Sequence, residues 1–189
     1  MNKIECLIEV FGAYISEPDI HSMADSFSQK SYKAGETIVP KGKTENHFYL
    51  VESGVQMLYV LNSKGDKNVL GFSFHPTPSG AYDSFMRNTP SELYFESITA
   101  SSLWAVDRVK FQRFNEYQGF MHWRASFAES ILFGRLQREI ELTTLTAKER
   151  FWIFEKRIPL DLQMIPQKYL ASYLNMSPET FSRIRGGRD

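Results

Sequence analysis

The spacing of hydrophobic residues changes along the chain and divides it into segments. Residues 1 to about 28 place apolar side chains at helical spacings, interrupted by one proline. From Gln29 to Phe74 apolar residues alternate with a period of two, which is typical of strands, and glycines recur. After Phe111 the helical spacing returns. The pattern predicts an α+β chain in which a β domain lies between helical segments.

Short strands are predicted within the β domain at Ile38-Val39, His47–Glu52, Val55–Leu61 and Asn68–Phe74, with later strands in Glu96–Asp107. Glycine-containing turns separate them. Many short antiparallel strands with such turns predict a sandwich or a β-roll. The segment His75–Leu93 is rich in Pro, Ser and Gly. It is either a plain connection, or a loop or short helix that lines a site.

The helix predicted after Phe111 continues to about Leu145 and carries two apolar stripes. The first stripe contains Phe120, Trp123, Phe127, Ile131 and Leu142, and the second contains Met121, Ala128, Leu132, Leu136 and Ile140. Two stripes need two partners. One can cover the β domain, and the other can pair with the same helix of a second subunit. The alternative is a helix buried within its own chain, but charged residues interrupt the stripes, and this favours the dimer.

A capping box, Thr146-Ala147-Lys148-Glu149, predicts the start of the next helix. This helix contains the apolar run Phe151–Phe154, in which Phe151, Trp152, Ile153 and Phe154 are expected to seat the C-terminal helices against the long helix. A core for a small domain is the expected role of these residues, rather than a platform on which bases stack.

The C-terminal stretch Ile165–Arg185 has the pattern of a helix-turn-helix. Its first helix is expected to begin near Pro166 and to end before Asn175, a residue that tolerates the left-handed conformation. Ser177 is a good N-cap for the second helix, with Pro178 in its first turn. Gly186 and Gly187 are expected to stop it. In the second helix Phe181 and Ile184 face inward, whereas the residues expected to face outward are Glu179, Thr180, Arg183 and Arg185.

The outward residues of the second helix carry the chemistry of base recognition. Arginine can bind guanine O6 and N7 bidentately, glutamate can accept from cytosine N4, and hydroxyl groups suit phosphates. The alternative is a helical hairpin with a solvated charged face. Two short helices joined by a tight turn match the docking geometry of one groove of DNA. The pattern therefore favours DNA binding.

The net formal charge of the chain is zero, but its positive charge is concentrated in the C-terminal segment that is predicted to bind DNA. From Thr146 onward there are 8 basic and 5 acidic residues, which gives +3. The remaining 14 basic and 17 acidic residues give −3. This small asymmetry supports phosphate contact without proving it.

Other classes of protein receive little support from the 189 residues. No run approaches the roughly 20 apolar residues of a membrane helix, and no signal peptide is recognisable, so a cytoplasmic protein without a membrane partner is expected. The single cysteine, Cys6, provides neither a disulfide nor a cluster-binding pair. The four histidines are scattered and no catalytic motif is present. We therefore expect no enzyme activity and no metal site.

Taken together, the chain resembles the bacterial transcription regulators of the cyclic-AMP receptor and fumarate–nitrate regulator (Crp/Fnr) family. The matching pieces are Tyr32-Lys33-Ala34-Gly35-Glu36-Thr37-Ile38, Gly42, Phe48–Gly54, the Gly65-Asp66-Lys67 hairpin, Ile165–Ala171 and Ser177–Arg183. The resemblance implies an effector-binding β-roll at 1–118, a dimerisation helix at 119–145 and a winged-helix-type helix-turn-helix at 146–189. It also implies a homodimer on double-stranded DNA, with RNA polymerase as a possible further partner.

The same resemblance implies the residues that contact DNA. Glu179 and Arg183 fall at base-reading positions, and the phosphate positions are occupied by Gln167, Lys168, Ser177 and Thr180. Arg185 is added to this set because it faces outward. Pro178 stands where relatives often carry another arginine, so the operator is expected to differ from the best-known one. The two recognition helices are expected to lie about 34 Å apart, on a palindrome with half-sites one helical turn or a multiple apart.

The effector site departs from the family pattern. Members that bind cyclic nucleotide carry a Gly-Glu pair and an Arg followed by Ser or Thr, but here Gly80 precedes Ala81, and Ser91 and Glu92 stand at the Arg-Ser positions. A carboxylate beside the cyclic phosphate would repel it. The sequence therefore argues against cyclic AMP in the usual pose, unless the loop re-forms around Arg87. It specifies no cofactor.

We expect either another small effector or none, with Gly80, Tyr82, Ser91 and Glu92 lining the pocket that remains. The alternative function is a β-roll that binds a small molecule or a protein and has no DNA-binding activity.

Overall fold

The computed structural model describes residues 2–187, and Met1, Arg188 and Asp189 lie outside the described residues. The helices are α1 Lys3–Phe11, α2 Glu17–Ala24, α3 Tyr82–Arg87, α4 Arg108–Arg113, α5 Phe120–Thr144, α6 Ala147–Arg157, α7 Gln167–Tyr173 and α8 Pro178–Arg185. The strands are β1 Ser28–Tyr32, β2 Thr37–Val39, β3 His47–Ser53, β4 Val55–Leu61, β5 Lys67–Phe74, β6 Pro78–Ser79, β7 Tyr94–Ser97 and β8 Ser101–Asp107.

The strands form two four-stranded sheets, in the orders β1-β8-β3-β6 and β2-β7-β4-β5. Strands β8 and β3 are the two inner strands of the first sheet: β8 pairs antiparallel with β1 and β3, and β3 also pairs antiparallel with β6. A buried apolar cluster joins the two sheets and contains Val39, Tyr49, Val51, Phe95, Leu103 and Ala105. The prediction of an α+β chain with an N-terminal β-roll and a long helix is confirmed.

A second core lies where helices cover the first sheet. It is dominated by aromatic rings: Phe48 of β3 lies 4.7 Å from Phe111 of α4 and 5.7 Å from Trp123 of α5, between ring centroids. Phe11 of α1 packs on the same Trp123 at 4.6 Å. Helix α1 begins with a capping box at Asn2, and α2 begins after the N-cap Ser16. The first sheet therefore has one face buried by α1, α2, α4 and the start of α5.

Residue contacts divide the chain into two compact units. The first contains the residues up to Leu58 together with Phe72–Phe127. The second contains Tyr59–Gly71 and the residues from Ala128 onward. The tip of the β4–β5 hairpin thus belongs to the same unit as the C-terminal helices, which the spacing of apolar residues did not predict.

The wing of the expected winged helix is not formed by the residues that the structure describes. Between Arg108 and Gly187 every element is helical. The connection from α6 to α7 is only nine residues long and contains Pro159, Pro166 and a 3₁₀ turn at Leu162–Met164. It is too short and too rich in proline to form a two-stranded hairpin.

Candidate nucleic-acid interface

The helix-turn-helix forms as its local signals predict. The Oγ atom of Ser177 accepts a hydrogen bond of 3.1 Å from the backbone N–H of Thr180, and Pro178 occupies the first turn of α8. Asn175, in the turn, has a φ of 51°. A residue in this left-handed conformation changes the direction of the chain within the short turn. Asn is suited to the position because it tolerates the conformation better than most residues.

A small aromatic core holds the two helices. Leu170 and Ala171 of α7 and Phe181 and Ile184 of α8 are buried. The ring of Phe151 in α6 meets Phe181 edge-on, with centroids 5.5 Å apart. Helix α6 therefore seats the helix-turn-helix, as predicted.

The prediction that the whole run Phe151–Phe154 forms this core is wrong for its two middle residues. Phe151 and Phe154 are buried, whereas Trp152 and Ile153 are 42% and 37% exposed. Four consecutive helical residues span about 300° of the helix surface, so only positions three or four apart share one face. The periodicity of the helix, rather than the hydrophobicity of the run, decides which rings are buried.

Arg150 of α6 forms hydrogen bonds with backbone groups at the C-terminal ends of both α5 and α7. Its guanidinium donates to three backbone carbonyl oxygens, at 2.6 Å to Leu145, 2.9 Å to Leu174 and 3.1 Å to Asn175. These carbonyls lie past helix C-termini, where no backbone donor is available and the helix dipole favours a cation. Arg150 therefore helps to position the turn that presents α8, together with backbone hydrogen bonds such as that from the Met176 N–H to the Ala171 carbonyl at 3.0 Å.

We expect Arg150→Met to destabilise the helix-turn-helix by about 2 to 4 kcal/mol, since the variant leaves three carbonyls without their charged donor. Hydrogen exchange of α7 and α8 amides measures the loss. Lys156→Met, which removes an exposed cation from the same helix, is the matched control and should change exchange little. If the amides of α7 and α8 in the Arg150 variant were as protected from exchange as in wild type, the stabilising role of Arg150 would be contradicted.

The face of the helix-turn-helix opposite its core carries the predicted DNA-contacting residues. Gln167, Lys168, Ser177, Glu179, Arg183 and Arg185 are exposed, and Thr180 is half-buried. The pKa of Glu179 is lowered by hydrogen bonds from its own backbone N–H and from Ser177. Glu179 is therefore ionised at neutral pH and is available as an acceptor. That these residues contact DNA stays a prediction.

The two stripes of α5 have different surroundings. In the first stripe Phe120 and Trp123 are buried. In the second, Leu132, Leu136 and Ile140 are 62%, 52% and 47% exposed. They are spaced by four residues and therefore line one side of the helix. A continuous apolar side of α5 is thus open to solvent in the single chain.

The predicted effector residues have different surroundings from one another. Glu92 is exposed, and its carboxylate pairs with the Lys41 ammonium at 2.9 Å. Ser91 is buried, but its hydroxyl is bonded to the backbone of Leu93. Tyr82 packs against Phe127, with ring centroids 5.1 Å apart.

Gly80, the fourth predicted effector residue, lies beside two buried groups that sequence reasoning missed. A Cβ atom on Gly80 would lie 3.3 Å from the Tyr49 ring and 3.4 Å from the Glu45 carboxylate. Glu45 is 1% exposed; its Oε1 accepts from the His47 N–H at 3.1 Å, and its Oε2 has no hydrogen-bond partner among the described residues. Burial raises the pKa of the Glu45 carboxyl to about 7, against the opposing effect of its backbone hydrogen bonds.

Glu45 makes the stability of the β-roll depend on pH. Its pKa is raised on folding, so the folded state binds more protons than the unfolded state between pH 4.5 and 7, and stability falls as pH rises through that window. The loss of folding stability that ionisation of Glu45 causes, about 3 kcal/mol at most, is complete above pH 7. Urea unfolding of wild type and Glu45→Gln at pH 5 and 8 measures it. The free energy of unfolding of Glu45→Gln, relative to that of wild type, should be higher at pH 8 than at pH 5. If the difference between the two proteins were the same at both pH values, the raised pKa of Glu45 would be contradicted.

His47 lies near Glu45, and the shift of its pKa affects stability with the opposite sign. Burial and the nearby Lys30 lower the pKa of its imidazole. The folded state therefore loses stability as pH falls below the usual histidine range. His47 is present in both wild type and Glu45→Gln. The difference between their free energies of unfolding therefore reports the contribution of the Glu45 carboxyl.

Cys6 and the remaining acidic and histidine side chains suggest no further reactive centre. Cys6 is buried, and burial raises the pKa of its thiol to about 12, so it is protonated and unreactive. Within residues 2–187, no three His, Cys, Asp or Glu side chains are grouped so that they could hold a metal ion. No described helix carries the continuous apolar stretch of a bilayer-spanning segment.

Comparison with known proteins finds similarity over the β-roll. Residues 29–117 match the cyclic nucleotide-binding domain family. Over 102 residues the chain is 29% identical to the cAMP-dependent protein kinase regulatory subunit of Blastocladiella emersonii, a match that covers 52% of this chain and 24% of that protein. The chain spans about a quarter of the length of the curated relatives that it matches.

Solved structures extend the similarity to most of the chain. FixK2 from Bradyrhizobium japonicum superimposes with a TM-score of 0.72 at 20% identity, over 85% of this chain and 83% of that one. The c-di-GMP responsive global regulator CLP from Xanthomonas campestris superimposes with a TM-score of 0.70 at 13% identity, over 90% of each chain. These two proteins share the fold of this chain, so the resemblance to the Crp/Fnr regulators is confirmed for the fold.

Proposed function

We propose that this chain, which carries a cyclic nucleotide-binding domain at residues 29–117 and has the fold of the Crp/Fnr regulators, is a sequence-specific, DNA-binding transcription regulator. The observation that carries the proposal is the division of α8 into two faces. Phe181 and Ile184 are buried in the small core, while Glu179 and Arg183 are exposed on the opposite side. A helix that presents an arginine and an ionised glutamate to solvent has the side chains that read guanine and cytosine in the major groove.

The proposed regulator acts as a homodimer paired through the exposed side of α5. In this proposal residues 1–118 form the sensor, 119–145 the dimerisation helix and 146–189 the DNA-binding domain. A cytoplasmic location, RNA polymerase as a further partner and the absence of enzyme activity belong to the same proposal.

Cyclic AMP in the usual pose is not the proposed effector. Glu92, at a position where relatives hold the cyclic phosphate, is a carboxylate paired with Lys41. A like-charged group would have to be displaced or neutralised before a phosphate could approach. The global regulator from Xanthomonas campestris responds to c-di-GMP, so effectors differ among proteins of this fold. The proposed β-roll binds a different small effector or none.

One observation favours the alternative, a β-roll interaction module without DNA binding. The matched curated relatives are protein kinase regulatory subunits. Their similarity covers about half of this chain, whereas the superposition with FixK2 covers 85% of the chain. The alternative leaves the exposed charged face of α8 without a role.

Selection of bound fragments from random DNA, followed by fluorescence anisotropy over a salt series, tests the proposed function. A DNA-binding regulator should select a palindrome, and its affinity for that duplex should fall steeply with salt because phosphate contacts release counterions. Lys168→Ala should lower the slope of log affinity against log salt by about one. No selected sequence and no salt-dependent binding would support the interaction module instead.

A further inference from the structure

The tip of the β4–β5 hairpin, residues 62–69, is hydrogen-bonded to α7 of the helix-turn-helix. The Oγ atom of Ser172 donates to the backbone carbonyl of Lys67 at 2.9 Å and accepts from the backbone N–H of Val69 at 3.0 Å. Arg135 of α5 donates to the carbonyl of Leu70 at 2.8 Å. Side chains from two helices thus satisfy backbone groups along one side of the hairpin. These residues all belong to the same compact unit.

A polar cleft of about 840 Å³ separates the hairpin tip from the beginning of α7 and the turn before α8. The hairpin contributes Asn62, Gly65, Asp66, Lys67 and Asn68, and the helix-turn-helix contributes Lys168, Tyr169, Ser172 and Asn175–Pro178. Lys168 and Ser177, both predicted phosphate contacts, line this cleft and remain exposed. The hairpin therefore stands beside the predicted DNA-contacting surface without covering it.

Two ammonium groups converge on one ring in the cleft. The Nζ atom of Lys67 lies 5.7 Å from the centroid of the Tyr169 ring, and the Nζ atom of Lys168 lies 5.0 Å from it. The two nitrogens are therefore within 10.7 Å of each other, the sum of those distances. Phosphates follow one another at about 3.4 Å of helix axis along a strand, so a single backbone can meet both lysines.

We propose that the hairpin tip is part of the DNA interface and that Lys67 contacts the phosphate backbone together with Lys168. This inference rests on the proposed function, and it assigns to the hairpin the role that a wing plays beside other helix-turn-helix motifs. Among residues 2–187 the cleft is lined by two lysines and one carboxylate, Asp66, and the Asn62 side-chain amide donates to that carboxylate at 3.2 Å. The cation excess and the amide donors suit a polyanion.

The test measures the salt dependence of DNA affinity for the full-length protein on its selected duplex. Lys67→Met, which keeps the apolar stem on the Tyr59 and Tyr169 rings, should lower the slope of log affinity against log salt by about one. Affinity should fall to a similar extent on specific and unrelated duplexes, because phosphate contacts carry no sequence information. Lys67→Arg should keep the wild-type slope. Lys43→Met, which removes an exposed lysine from the β-roll, is the control.

Asp66→Asn provides a second readout that a loss of folding would not produce. Removal of Asp66, the only carboxylate among the described residues that line the cleft, should raise affinity about two- to fivefold at low salt. Wild-type slopes in Lys67→Met, with a lowered slope in Lys168→Ala, would overturn the role of the hairpin and leave the proposed function intact. If the wild-type protein selects no DNA, both inferences fail.

Discussion

A chain carrying Leu136→Glu is expected to be a monomer in solution and to bind a palindromic duplex at least 100-fold more weakly than wild type. Leu136 lies in the middle of the exposed side of α5, one turn from Leu132 and from Ile140. In a two-fold pair of such helices the substitution would bury two carboxylates, one from each subunit, without partners. Loss of the dimer removes bivalent binding, which contributes about 100- to 10,000-fold to affinity.

Sedimentation equilibrium and fluorescence anisotropy with the selected palindrome measure the two effects. Gln118→Glu is the control, since it adds the same charge at an exposed position that precedes α5. It should remain dimeric and bind within a few fold of wild type. Because Leu136 is 52% exposed in the single chain, the substitution should leave the fold and its circular dichroism unchanged. A dimeric Leu136→Glu protein with wild-type affinity would contradict pairing through α5.

Features coded by neighbouring residues could be predicted from the sequence. The capping box at Thr146 and Glu149 forms, and α6 begins after it. Strand β4 has its predicted bounds, Val55–Leu61. Each of these signals acts over at most a few residues, through a side chain that satisfies a backbone group or through the alternation of a strand.

Features held by distant parts of the chain could not be predicted in this way. Strand β1 reads Ser-Gln-Lys-Ser-Tyr and carries no apolar alternation, yet it pairs along its length with β8, more than 65 residues later. The contact between Ser172 and Lys67 joins residues 105 positions apart. Such pairings are decided by tertiary packing, which overrides the local preference of a short segment.

The candidate effector residues illustrate the same limit. Counting along the chain from Gly80 predicted a pocket that also contains Glu92, but the side chain of Glu92 pairs with Lys41 on the surface. The buried carboxylate next to Gly80 is instead Glu45, whose backbone N–H donates to Ser84 at 3.0 Å. Neither Glu45 nor its neighbours form a motif, because the β-roll brings together Glu45, which precedes β3, Tyr49 of β3 and Gly80, which follows β6.

Arg183→Ala is expected to weaken binding to the selected duplex by about 1 to 3 kcal/mol, or about 5- to 150-fold, and to relax the choice of base at one position of each half-site. Arg183 lies on the exposed face of α8, next to the buried Ile184 that fixes the helix on its core. Arg113→Ala, which removes an exposed arginine from α4, is the control for charge and should have little effect.

Arg183→Lys separates base reading from phosphate contact. The substitution keeps the positive charge but loses the planar pair of donors that matches guanine O6 and N7. If Arg183 reads a base, Arg183→Lys should keep the salt slope of wild type and lose discrimination at the same base pair as Arg183→Ala. Anisotropy with duplexes that vary each half-site position in turn measures this. Wild-type discrimination in both variants would mean that the exposed side of α8 does not read the sequence, and would remove the main support for the proposed function.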